Sequence, residues 1–507
     1  MKGYTVMKKF LQRVSLLLIA VMLFGMTVSC ATQPDDNGSD NYNGIGEWDG
    51  TRATTPDNLP DYLDYDGATI SVLHREGLQE YEASGEAGSD IVYQAVYERN
   101  AQVAARLDIK FDWIPTASGG LQETKTEMVN VLSTYIDDYD YLLTTNNTIL
   151  SAGMNAYLWE LSNSAYIDLS QPWWWMSCIE EMSFDGRNYN FLVGEMNLTN
   201  FQKMSAFYFN GKLIQNQLGL TASDMYARVD NGTWTIDELH RLVSKCYFDK
   251  NGDNIANDGD LFGMPIAGAE TVNQLVKSAK FDIYSREKNG FVKILLNNPR
   301  MISVCEKLTR LMHENTGVYI QKPRDNVSGF DSFVIEDFTE GKYVFMAQRF
   351  TAVCSEAMRQ MEDDYGIIPY PTLEEGDEYV SFIQSSSTCV SVPAAVDIER
   401  LDRVSAVLEA LSAEAYRNVT EKFYELALKS KYVRDDYDSP RMIDIIYNTS
   451  AKFFLEEYDS NAGIMGIMAD AIMNKKSVST LYGQKGDMAQ NNINDFIAKC
   501  MSAYRQQ

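Results

Sequence analysis

Leu16 to Phe24 is an unbroken apolar run, preceded by Lys8, Lys9 and Arg13 and followed by Thr27, Val28, Ser29 and Cys30. From Ala31 to about Pro60 aliphatic residues almost vanish, and Asp, Asn, Gly, Thr and Pro take over. Beyond that, apolar positions recur with the periods of regular structure. Thr69 to Leu73 reads as a β-branched strand, and Asp90 to Leu107 carries Val92, Ala95, Val96, Val103 and Leu107 on one helical stripe. Ile109, Phe111 and Trp113 alternate as a second strand, Leu121 to Ile136 returns to the helical period, and Tyr139 to Leu143 is a third strand. This alternation predicts a mostly parallel sheet with helices on both faces. Ligands of such sheets sit at the C-terminal strand ends. Here those ends are His74 and Arg75 after the first strand, and Thr144, Thr145 and Asn146 after the third.

The order of basic, apolar and small residues at the start is that of an export signal. Its apolar run is too short for a permanent span, which takes about 20 residues. The segment resembles a bacterial lipoprotein signal, in which Val28 and Ser29 precede the lipidated cysteine, Cys30; Thr27 departs from the aliphatic residue commoner there. Residues 1–29 are then the signal peptide and 30–60 a flexible tether, with an end-to-end distance of roughly 30 Å. Cleavage ahead of Cys30 moves the formal charge from -27 to -31, because the signal carries only basic charges. So acidic a chain is repelled by nucleic acid and anionic headgroups, which leaves the anchor as its route to a membrane. A length of 507 residues calls for two or more lobes.

Cys178, Cys246, Cys305, Cys354, Cys389 and Cys500 are far apart and show no metal-ligand spacing, and free buried thiols are expected. With His74, His240 and His313 as the only histidines and no H-E-x-x-H, a catalytic zinc site is not expected.

Trp173, Trp174 and Trp175 are adjacent, and three such rings are not expected to share one core, so at least one should be exposed or line a groove. From here the chain resembles the extracellular solute-binding proteins of ABC transporters, in particular the maltose-binding-like branch. Asp185 to Tyr189 is similar to that family's hairpin ahead of the lobe crossover, and Phe207 to Leu213 to its crossover strand and following helix. Phe338 to Phe345 is similar to the return crossover, Tyr365 to Pro371 to the strand and loop after it, and Glu425 to Ile446 to the C-terminal helices of large members. The resemblance implies a two-lobe periplasmic-binding-protein-like fold of type II, α/β in class, with crossing strands as the hinge. It places lobe 1 at 61–200 plus 338–396 and lobe 2 at 201–337 plus 397–507.

Candidate ligand contacts follow from strand ends and aromatic faces. Sugar C–H faces pack on indole while hydroxyls need convergent polar groups, which nominates Trp173, Trp174 and Trp175. Gln348 and Arg349 end the strand from Tyr343 to Ala347. Arg75 and Arg349 have the fork geometry to hold hydroxyls or a sugar carboxylate, or else simply pair with acids of the chain. Thr145, Asn146 and Ser385 complete the set, with Ser385 to Ser387 also readable as a polar turn. Trp234 reads as structural, with Thr235 capping a helix and Glu238 closing a capping box. The methionines between Gly463 and Met473 read as core packing.

Asp249 to Asp260 has the ligand spacing of an EF-hand-type calcium loop. Its oxygens would come from Asp249, Asn251, Asp253, the Ile255 carbonyl, Asn257 and Asp260. Asn254 stands where glycine is usual and tolerates a left-handed backbone. Gly263 and Pro265 argue against an outgoing helix, so a lone structural Ca²⁺ site is expected, with a solvated Asp/Asn turn as the competing reading.

The expected function is a lipid-anchored extracellular receptor, monomeric and not an enzyme, that captures a carbohydrate between its lobes. It would deliver that sugar to an ATP-driven permease. The rival is a cell-surface glycoside hydrolase, which needs two carboxylates about 5 to 9.5 Å apart; the sequence nominates no pair.

Overall fold

The computed structural model describes residues 52–504, apart from 154, 281–282, 322–329, 430–437 and 452–462 and the side chains of 146, 147, 150, 330–332, 425–429 and 438–439. The signal, Cys30 and most of the expected tether therefore lie outside the described residues. Among the described residues, no helix is long and apolar enough to cross a membrane.

The first sheet has the strand order Ile109–Pro115, Ala68–His74, Tyr141–Thr145, Thr388–Ser391. The first three are parallel and the last is antiparallel. Ile70, Val72, Tyr141 and Leu143 point into one core, as the alternation of a strand requires. The helix Ile91–Leu107 covers this sheet. Asp90 caps it by accepting from Val92 N at 2.9 Å, and Asp108 ends it in the left-handed region. The next helix stops at Ser133, short of the expected Ile136, because Tyr135 turns to a positive φ and leaves itself and Ile136 in solvent.

A second sheet centres on the strand Ser205–Asn210, flanked antiparallel by Phe345–Arg349 and Tyr365–Ile368. The central strand is buried on both faces. Ala206 and Tyr208 face the first hydrophobic core, while Phe207 and Phe209 face a second core with Trp234, Met264, Val304 and Ile493. One strand thus joins two cores, and the chain is two-lobed. The hairpin Tyr284–Arg286 and Val292–Ile294 is fastened by Arg286, which donates to the carbonyls of Ser183 and Phe184 at 2.9 and 3.1 Å. The stretch Asp185 to Tyr189, expected as a hairpin, is a turn in which Asp185 accepts from the amides of Arg187 and Asn188.

Two expected domain boundaries shift. The helix Ile398–Glu414, placed in lobe 2 by the boundary at 396, packs on Ile91–Leu107, because Leu401, Val404, Val407, Leu408 and Leu411 belong to the first core. The tether does not extend to residue 60. Arg52 is buried, paired with Glu195, and holds its guanidinium 3.7 Å over the Tyr416 ring. Five residues on, Asp57 is gripped by Arg106 and Arg417, each at 2.7 Å. Burial pushes the Asp57 carboxyl up, but the two guanidiniums outweigh it and hold it down at about 2.

Of the six described cysteines, all but Cys354 are buried. Met465 and Met468 pack in the second core.

Candidate functional site

Strand ends of both sheets converge on the crossing strands. Ser205 pairs with Arg349, and Met204 bridges to Ile383, so the end of Phe345–Arg349 lies beside the segment Gln384 to Ser387. That segment is fastened by Gln384 N to the Lys203 carbonyl at 3.1 Å and turns through Ser387 N to the Gln384 carbonyl. It then enters the first sheet, where Thr388 pairs with Thr145. Four residues thus carry the chain from one group of strand ends to the other. Ser385 sits half-buried within them, as a turn residue.

On the first-lobe side, Thr145 is buried with its hydroxyl 3.4 Å from that of Thr148. Asn146 begins the next helix, and its side chain lies outside the described residues. His74 is buried with Nδ1 2.9 Å from the Arg75 carbonyl, and burial lowers its pKa. Arg75 is half-buried. Sequence reasoning missed Glu82. This fully buried carboxylate accepts from Thr199 Oγ1 at 2.7 Å and Thr388 Oγ1 at 2.6 Å. Burial raises its pKa, against the pull of those hydroxyls and of Arg75. It stitches the crossover to the strand Thr388–Ser391, and no local motif marks it.

On the second-lobe side, Gln348 and Arg349 are both buried. Arg349 Nη2 donates to Glu270 Oε1 at 2.5 Å. Glu270 belongs to the helix Gly268–Ser278, which follows the short strand Met264–Ile266. Burial works against its charge, yet Arg349 foremost and then Lys277 outweigh it and lower the pKa. The strand-end rule, applied to the second lobe, was the signal that would have found it. Beside it Ala267, Thr271, Gln274, Val334 and Gln348 line a small pocket.

The tryptophan expectation is overturned. Trp173, Trp174 and Trp175 are all at most 4% exposed, so none lines a groove. The segment is not a regular strand, and its rings diverge within one broad core. Trp174 donates to Glu409 at 2.8 Å, Trp173 meets Tyr416 edge-on at 6.0 Å, and Trp175 meets Phe201 edge-on at 5.2 Å. Trp234 is structural, buried and donating to the Pro369 carbonyl. Thr235 caps its helix, but Glu238 bonds to Arg228 and Arg241 instead of closing the box.

The loop from Asp249 to Asp260 turns at Asn254, φ +60°. Asp249, Asn251 and Asp253 each accept a backbone N–H from within the loop, at 2.7 to 2.9 Å. Asp249 also accepts from the Asn254 amide, and the Asn257 side chain donates to Asp253 Oδ2 and the Ile255 carbonyl, so the oxygens of the expected ligand set take N–H groups of the loop itself. Asp260, expected in that set, is buried, and its oxygens take the amides of Lys250 and Asn257 and the Tyr247 hydroxyl. Among the described residues, no group of three or more His, Cys, Asp or Glu is placed to hold a metal ion.

No family model and no curated protein matches the sequence. Solved structures match in fold. RafE from Streptococcus pneumoniae, in its apo form, gives a TM-score of 0.52 at 15% identity over 85% of this chain and 99% of that one. UgpB from Mycobacterium tuberculosis, in complex with glycerophosphocholine, gives 0.55 at 14% identity over 85% and 100%. The ABC substrate-binding protein Lmo0181 from Listeria monocytogenes, in complex with cycloalternan, gives 0.54 at 10% identity over 85% and 100%. The chain has the two-lobe fold of the ABC-transporter solute-binding proteins.

Proposed function

We propose that this protein is a solute receptor that captures a carbohydrate, an oligosaccharide by preference, between its lobes and hands it unchanged to an ABC permease. The observation that carries the reading is the convergence of strand ends from both sheets on the segment Gln384 to Thr388. Half-buried Arg75 stands on one side of it and the partly exposed Glu270 on the other, with Thr145, Gln348 and Arg349 buried behind them. A ligand bridging both sides stabilises the closed arrangement, and closure is the signal a permease reads. Fold neighbours solved with cycloalternan, and GacH with acarbose, support a sugar as the ligand. The hydrolase rival gains no support. Glu82 is sealed from solvent and Glu270 is held ionised, so neither of these two combines exposure with a retained proton.

Two accessory features belong to the same reading. Cys30 is the lipid attachment point that holds the receptor at the outer face of the cell membrane; Cys30→Ser should release it. The Asp249 to Asn257 oxygens hold a structural Ca²⁺. The test of the receptor itself is a glycan-array screen followed by scattering measurements. A bound sugar should shrink the radius of gyration, and an array without hits would set the reading aside.

A further inference from the structure

Three charged side chains meet where the strand Phe345–Arg349 ends and the helix Gly268–Ser278 begins. Both cations are enclosed: Arg349 is 1% exposed, and Lys277 is 3% exposed with its ammonium 4.3 Å over the Phe382 ring. Glu270 alone reaches solvent, with its side chain 42% exposed. One of its oxygens is fixed. Oε1 takes Arg349 Nη2 at 2.5 Å, Gln274 Nε2 at 3.2 Å and Gln384 Nε2 at 3.3 Å. These donors come from the strand end, from one turn further along the same helix, and from the segment that links the lobes. Among the described residues no donor reaches Oε2, so the carboxylate is locked in orientation with its outer oxygen open.

This reverses the sequence reading of Arg349. Its guanidinium lies behind the carboxylate, and of the three charged groups the carboxylate is the one that reaches solvent at this corner. We infer that Glu270 is a specificity-determining residue: its outer oxygen accepts from hydroxyl or ammonium groups of an uncharged or cationic ligand and repels a carboxylated or sulfated one. A preorganised acceptor gains affinity because no reorganisation is needed when the ligand arrives. A like charge brought against the outer oxygen loses it, because that oxygen is the nearest charge and the opposing Arg349 and Lys277 lie enclosed behind it. Arg75, half-buried on the first-lobe side, is a cation near the site, and it lies within Coulomb reach of the buried Glu82.

The inference rests on the receptor reading for the choice of probes, and the experiment separates the two. Parent, Glu270→Gln and Glu270→Ala proteins are titrated calorimetrically at low salt with trigalacturonate and with a neutral set of maltotriose, raffinose and cellotriose. The alanine variant serves if the glutamine variant does not fold, as judged by circular dichroism. Trigalacturonate should bind the variant at least about tenfold more tightly than the parent, and the gain should shrink at higher salt. Equal affinity in parent and variant, or no trigalacturonate binding to either, overturns the role of Glu270. A parent that takes no neutral sugar, beside a variant that gains trigalacturonate, counts against the receptor reading and leaves Glu270 as the charge filter.

Discussion

Trp174 donates its indole N–H to the carboxylate of Glu409 across 2.8 Å, inside the core of the first lobe. Burial pushes that carboxyl up to about 7, against the opposing effect of the hydrogen bonds from Trp174 and the Asp168 amide. The unfolded chain releases this proton near 4.5, so the native state holds an extra proton between about 4.5 and 7. Its stability contribution is complete below 4.5 and is lost as pH rises through 7. Glu409→Gln, neutral throughout, should flatten this dependence and gain on the parent at pH 8, by on the order of a few kcal/mol. Melting curves of both proteins from pH 5 to 8 check it; parallel curves would contradict it.

The Arg52 to Asp57 segment should behave as part of the fold. Removing one member of a buried ion pair costs about 3–5 kcal/mol, and Glu195 also accepts from Thr420 and Tyr447. Urea denaturation of Arg52→Ala should show a loss of that size, whereas a change under about 1 kcal/mol would return this segment to the tether.

Much of the first lobe was legible because its signals are local. Asp90 before a helical stripe, and the alternation of Ile109, Phe111 and Trp113, fix elements within a few residues of their observed ends. The site was less legible, because burial and pairing are set by residues distant in sequence. Nothing near Trp174 announces Glu409, 235 residues away, and nothing near Arg349 announces Glu270, 79 residues earlier. The tether was misjudged for the same reason: Arg52 sits in a polar stretch, and its partner is Glu195.

Arg75 and Trp174 should separate by phenotype. Arg75→Ala, at a half-buried strand end, should weaken sugar binding by tenfold or more, about the effect of one hot-spot side chain, with melting temperature nearly unchanged. Trp174→Ala empties a core position and should cost about 3–5 kcal/mol of stability. Paired titration and melting of both variants decides; an Arg75→Ala protein that binds like the parent removes Arg75 from the site.

Calcium at millimolar concentration should raise the melting temperature of chelator-stripped protein. Saturation at about 100 times the dissociation constant adds about 2.7 kcal/mol. Asp249→Ala with Asp253→Ala should abolish the rise, since both carboxylates of the donor set are lost. No calcium-dependent shift in the parent would leave the loop as a hydrogen-bonded turn.

Capture without chemistry is tested most directly by equilibrium dialysis of a labelled oligosaccharide mixture against the protein, followed by chromatography of the sugar recovered from the protein side. The expected result is retention of one or a few members at stoichiometric levels with their length unchanged after prolonged incubation. Shortened sugars, or a mixture distributed equally on both sides of the membrane, would contradict a receptor that binds its ligand between two lobes.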